Sequence, residues 1–175
     1  MTDETRRDHI IFIGFMGSGK STVARRLARH RNMNCIDMDS YIEREAGMPV
    51  SRIFETEGEA DFRARERVFL ESMFHRERCI LSCGGGVVVN AENRRLIKSL
   101  GTVVYLEVTA ADALARISRP ESRPLLKGPV PPAELLESRR ALYEASSDIR
   151  FDTSGLSLAQ VVRQLTEILT KRGIL

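Results

Sequence analysis

Apolar residues recur along this chain in two rhythms, short β-branched runs and longer stretches whose apolar positions return every three or four residues. These are the patterns of buried strands and amphipathic helices. The run HIIFIGF over 9–15 is apolar without alternation and closes on glycine, which predicts a strand buried on both faces. Val23, Ala24, Leu27 and Ala28 share one face of a predicted helix over 20–30. Further strands are predicted over 34–38, 79–83, 102–108 and 148–152, and helices over 40–46, 50–56, 58–75, 91–100, 110–117 and 133–146. Thr109 is placed to cap the helix beginning at 110, and Leu158, Val161, Val162, Leu165, Ile168 and Leu169 mark a closing amphipathic helix. Strands alternating with helices imply an α/β fold with three layers, a five-stranded parallel sheet carrying helices on both faces.

The pattern breaks twice. Residues 118–132 gather Pro120, Pro124, Pro129, Pro131, Pro132 and Gly128, which excludes a helix or central strand and predicts an exposed, mobile loop. Residues 1–8 are polar and read as a flexible tail, leaving 9–175 as a single domain. No apolar run approaches the ~20 residues of a membrane helix, and no secretory signal opens the chain. A net charge of +3 with scattered arginines gives no dense basic block, so nucleic acid is not an expected partner. Cys35, Cys79 and Cys83 lack C-x-x-C spacing and cannot all pair. They are expected to be buried small hydrophobes in a reducing cytoplasm. His9, His30 and His75 share no metal-ligand spacing.

The strongest chemical signal is Gly14-Phe15-Met16-Gly17-Ser18-Gly19-Lys20-Ser21-Thr22, the G-x-x-x-x-G-K-[ST] pattern between a predicted strand and a predicted helix. Glycines let successive backbone N–H groups converge on phosphates, Lys20 would bridge the terminal phosphates, and Ser21 would ligate magnesium. Asp37 and Asp39 fall where the second strand ends, the end at which open parallel sheets collect ligands. Asp37 suits the magnesium shell and Asp39 a base or orienting group for an attacking hydroxyl. The ordinary alternative is that the pair caps the next helix. Arg63 and Glu66 share a helix face, so the carboxylate can preset the guanidinium as a carboxylate clamp, although a solvated surface ion pair is the commoner use of such spacing. Gly84, Gly85 and Gly86 could approach a ligand through backbone N–H groups or form a plain turn. Arg139, four residues before Tyr143, could supply a second guanidinium, with Arg140 solvated beside it. Arg119, Arg123 and Lys127 make the proline-rich loop cationic, as a lid over a triphosphate would be.

Taken in order and spacing, GFMGSGKST, DMD, FRARE, GGG, RPLL and RRALY resemble the shikimate kinase family from Ile10 to the final helix. The resemblance implies a P-loop kinase with a lid over about 116–132 and a substrate-binding helical region over about 40–76. It further implies transfer of the terminal phosphate of ATP to the 3-hydroxyl of shikimate with Mg2+, in a cytoplasmic monomer. By resemblance, Asp39, Arg63, Gly85 and Arg139 bind shikimate, with Glu66 supporting Arg63 and Gly84 and Gly86 beside them. Gly17, Ser18, Gly19, Lys20, Ser21 and Thr22 hold the nucleotide, Arg116 packs on adenine, Lys20 and Arg123 hold the transferring phosphate, and Ser21 and Asp37 organise magnesium. Two departures stand out: the stretch 152–156 lacks the arginine that many relatives place near the base, and the lid is rich in proline. The alternatives are a kinase of another hydroxy acid such as gluconate and a non-catalytic nucleotide-binding module. An N-K-x-D element is absent, which counts against a guanine-nucleotide switch.

Overall fold

A computed structural model describes residues 8–117 and 124–175. Five parallel strands, β1 (His9–Ile13), β2 (Asn34–Asp37), β3 (Cys79–Ser82), β4 (Gly101–Glu107) and β5 (Ile149–Asp152), are ordered β2-β3-β1-β4-β5. Among the described residues eight α-helices surround the sheet: α1 (Lys20–Arg31), α2 (Met38–Ala46), α3 (Val50–Thr56), α4 (Glu59–Met73), α5 (Ala91–Leu100), α6 (Ala110–Arg116), α7 (Pro132–Ser146) and α8 (Leu158–Lys171).

The unbroken apolar run of β1 is explained by its place in the middle of the sheet. Ile11 and Ile13 enter the core beneath α2 to α7, while Ile10 and Phe12 enter the opposite core beneath α1 and α8. Polar His9 is also buried, its ring bonded to the Met73 carbonyl at 3.1 Å and to the Cys79 N–H at 3.2 Å, so it ties β1 to β3 and α4.

Several element ends differ from the sequence expectation, each for a local reason. β1 stops at Ile13 because Gly14 adopts φ 147° and turns the chain into the loop, where Phe15 is buried without being a strand residue. β2 stops at Asp37, whose carboxylate accepts the Ser40 N–H and starts α2 at Met38. α4 ends at Met73 and β3 at Ser82. α7 begins on Pro132, since a first-turn position has no intrahelical use for an N–H. Pro124–Lys127, expected as open loop, forms a 3₁₀ turn, and Val87–Val89 forms another after the triple glycine. Cys79 and Cys83 are buried as expected, whereas Cys35 is only partly so. Thr109 caps α6 as predicted, accepting the Asp112 N–H. Among the described residues no helix is long and apolar enough to cross a membrane.

Candidate active site

β1 is flanked by β3 on one side and β4 on the other, so the loop leaving its carboxyl end opens at the point where the strand order reverses. That loop is the glycine segment. Gly17 (φ 77°) and Gly19 (φ 91°) both occupy left-handed backbone, and a Cβ on Gly17 would also strike the Ala113 carbonyl of α6. Lys20 folds back over the loop, donating to the carbonyls of Gly14 (2.8 Å) and Phe15 (2.9 Å). One residue on, the Ser21 hydroxyl donates to Asp37 Oδ2 at 2.5 Å and lies 3.2 Å from Ser82 Oγ at the end of β3. Asp37 therefore serves both readings, capping α2 through one oxygen and engaging Ser21 through the other. Asp39 sits in the first turn of α2 and lines the cleft without capping the helix.

Across the cleft, Arg63 is not the solvated pair member that is the commoner outcome of its spacing. Its side chain is 10% exposed and that of Glu66 0% exposed. Nη1 donates to Glu66 at 2.9 Å and Nη2 to Glu59 at 3.0 Å. Burial raises the Glu66 carboxyl to about 7 against the lowering pull of Arg63, with Asp39 raising it further and Arg139 lowering it. Glu66 and Glu59 in turn hold the Arg63 guanidinium above its ordinary value despite its desolvation.

The glycine triplet makes room for these groups. A Cβ on Gly84 would lie 2.6 Å from Asp39 Oδ1, and one on Gly86 would lie 2.6 Å from both Cζ and Nη1 of Arg63. The Gly85 carbonyl accepts from the Tyr143 hydroxyl (2.5 Å) and from Arg139 (3.4 Å), so α7 is docked on the turn and its buried Arg139 faces the same cavity as Arg63. Tyr143 is itself stacked on Tyr105 of β4 at 5.0 Å. Arg140 points outward and pairs with Glu137 at 2.9 Å.

Two adjoining cavities result. One, of about 590 Å³, runs over the glycine loop to Arg116, Thr153, Leu156, Leu158 and Val161. The other, of about 520 Å³, is walled by Arg63, Glu66, Arg139, Phe54, Phe62 and Arg25. Met16, Ser21, Asp37, Asp39, Gly84 and Gly85 line both, so the aspartates stand at the junction. Every sequence-expected site residue within the described part is in or against this cleft; Arg119 and Arg123 lie outside the described residues. Arg116 is held by Thr153, through Oγ1 at 3.0 Å and the carbonyl at 3.3 Å. Where an arginine was missing from 152–156, the cavity wall is Thr153 and Leu156.

Sequence reasoning passed over Thr153, Arg25, Phe54 and Asn93. Arg25 stands four residues after Ser21 on α1 and so on the same face, a spacing visible in the sequence. Asn93 on α5 is buried and donates Nδ2–H to Glu66 Oε2 at 3.4 Å, which no local pattern announces. Among the described residues no three His, Cys, Asp or Glu side chains cluster as a metal cage. A magnesium ion that keeps several waters and takes phosphate oxygens needs no such cage, and a serine hydroxyl with one carboxylate beside the phosphate loop fits it.

A phosphate cradle at the switch point, opening onto a second cavity walled by buried arginines, defines an ATP-dependent small-molecule kinase of the P-loop class. The shikimate kinase family model matches residues 16–170, and the chain belongs to that family. Shikimate kinase 1 of Erwinia tasmaniensis is 39% identical over 167 residues, covering 93% of this chain and 96% of that protein. Shikimate kinase of Vibrio parahaemolyticus is 39% identical over 167 residues, covering 94% and 97%. Among solved structures, shikimate kinase from Acinetobacter baumannii in complex with shikimate superposes with a TM-score of 0.87 at 32% identity over 96% of each chain. The Aquifex aeolicus shikimate kinase gives 0.81 at 34% identity, covering 94% of this chain and 98% of that one.

Proposed function

We propose that this chain passes the terminal phosphate of ATP to the 3-hydroxyl of shikimate, with the two cavities holding nucleotide and acid on either side of Asp39. The observation that carries the reading is the second cavity: two buried guanidiniums, Arg63 and Arg139, set by partners of their own on one wall of a cleft that the phosphate loop shares. A planar guanidinium already oriented by Glu66 loses little freedom on receiving a carboxylate. With the acid anchored there, Asp39 at the junction orients the hydroxyl and accepts its proton. The glycine loop binds the phosphates through its N–H groups, and Lys20 exchanges its loop carbonyls for phosphate oxygens. Ser21 and Asp37 would hold magnesium, which supplies charge neutralisation on the transferring group. Arg116 stands against the base; the lid reading of 116–132, with Arg123 as the charge on the transferring phosphate, falls partly outside the described residues and rests on the family resemblance. Three free cysteines suit a reducing cytoplasm.

A coupled ADP-release assay with ATP, magnesium and shikimate tests the reading, beside gluconate and other hydroxy acids. Turnover of shikimate far above the Lys20→Ala protein is expected, with phosphate on the 3-hydroxyl by NMR. Turnover no greater than that of Lys20→Ala, or preference for another acid, overturns it.

A further inference from the structure

The arginine that receives the acid is aimed by Glu66, and Glu66 is itself fully buried. One of its oxygens meets Arg63. The other accepts from Asn93, a polar residue 0% exposed on α5, a helix that lies behind the cleft wall and contributes no residue to it. Asn93 Oδ1 is buried with no hydrogen-bond partner among the described residues, so the amide is not held in place by a network of its own. A buried amide with an unsatisfied oxygen costs stability, and Leu96 and Ile97 show that α5 otherwise buries apolar side chains against this core.

We propose that Asn93 is a positioning residue for the acid-binding arginine: its side-chain N–H engages one Glu66 oxygen and so holds the other aimed at Arg63. The inference rests on the reading of Arg63 as the group that takes the substrate's carboxylate. The charged groups facing Glu66 are Arg63 on α4, Asp39 on α2 and Arg139 on α7, with the Cys83 thiol after β3 also in its field. Two of these favour the anion and Asp39 opposes it. Burial opposes it most, and the Asn93 N–H is a further donor on the side of the anion, at the oxygen that Arg63 does not engage. A protonated Glu66 would still touch Arg63 but would no longer fix it, since the proton competes for the oxygen lone pairs.

Two variants separate aim from packing. Asn93→Leu keeps the branched outline at a larger volume and removes the donor, and Asn93→Asp keeps both shape and volume and sets a second acid against Glu66. The direct readout is the Glu66 titration midpoint, followed by carbon NMR of the labelled carboxyl in the full chain without substrate. It is expected to move upward by about one pH unit in Asn93→Leu and further in Asn93→Asp. In steady-state kinetics at pH 7, KM for shikimate should rise about tenfold in Asn93→Leu and that for ATP less than twofold. The acidic limb of kcat/KM should move upward with the NMR midpoint. An unchanged Glu66 midpoint in Asn93→Leu overturns the proposal, as does a KM increase shared equally by both substrates. If the leucine variant does not fold, Asn93→Asp carries the same readouts. Failure of the wild-type protein to turn over shikimate would instead overturn the reading of the cleft, and the NMR midpoint would still judge Asn93.

Discussion

Replacing Gly86 by alanine tests the acid clamp with one methyl group. Gly86 has φ −99° and ψ 5°, which alanine adopts without strain, so backbone conformation contributes nothing to the outcome. The added Cβ would lie 2.6 Å from Cζ and Nη1 of Arg63, against a comfortable separation of ~3.5 Å or more. Nη2 would lie closer still, so the guanidinium must retreat by more than ~1 Å. It cannot do so freely, because Glu66 at 2.9 Å and Glu59 at 3.0 Å pin its two ends. A retreat of that size breaks at least one charge-assisted hydrogen bond, about 1.5–3 kcal/mol. It also displaces the group that positions the acid, an error that costs on the order of 100-fold in reactivity. We expect kcat/KM for shikimate to fall between about 10- and 100-fold, carried mainly by KM. KM for ATP should stay within twofold, since the phosphate loop does not touch Gly86. Initial rates with each substrate varied at saturating partner give both constants, and urea unfolding shows whether the fold survives. A Gly86→Ala protein that is folded and binds shikimate as the wild type does would refute the claim that this glycine exists to admit Arg63. The companion change Gly84→Ala, aimed at Asp39 with a 2.6 Å approach, should lower kcat more than it raises KM.

Three further outcomes follow from the same geometry. Glu66 binds its proton more tightly in the fold (about 7) than a carboxyl does in the unfolded chain (~4.3). Its contribution to stability is therefore lost as pH rises from about 4 through about 7, by ~3.7 kcal/mol at most; urea midpoints at pH 5 and pH 8 should show this slope reduced in Glu66→Gln, and an equal slope would contradict it. Thr153→Val removes the hydroxyl that accepts from Arg116 at 3.0 Å and donates to the Glu107 carbonyl at 2.8 Å, while that carbonyl keeps its bond from the Thr153 N–H at 3.1 Å. Titration calorimetry should show Kd for a non-hydrolysable ATP analogue raised about three- to tenfold and Kd for shikimate unchanged. Lys20→Ala should lose at least 100-fold in kcat by the coupled assay, since the charge that meets the terminal phosphates is gone while the loop's N–H groups remain.

How much of this could be read from the letters depends on the range of each interaction. The glycine loop was legible because its chemistry is local: a fixed run of glycines, lysine and serine between a strand and a helix. The Arg63–Glu66 pairing was legible from the three-residue spacing on α4, but not its burial, because four charged residues in Arg63-Ala64-Arg65-Glu66-Arg67 look like a wet helix face. Only the packing of α5 and the glycine turn over that face closes it from water. Asn93 was illegible for the same reason, as an asparagine among Glu92, Arg94 and Arg95 has nothing in its neighbourhood to mark it as interior. The glycine triplet was read for its backbone donors. Its larger structural effect is the space it leaves for Asp39 and Arg63, side chains 45 or fewer residues upstream that come near only in the fold. Thr153 and Arg116 are 37 residues apart and meet only because β5 pairs with β4.

The order of strands in the sheet has a bearing on biosynthesis. β1 carries the nucleotide loop yet leaves the ribosome long before either of its neighbours, β3 and β4, has been made. The second arginine, at position 139, is translated later still and is docked by Tyr143 onto a turn already in place. A nascent chain released before α7 would therefore own a nucleotide cradle without a complete seat for the acceptor, and the phosphate it could bind would have nowhere to go but water.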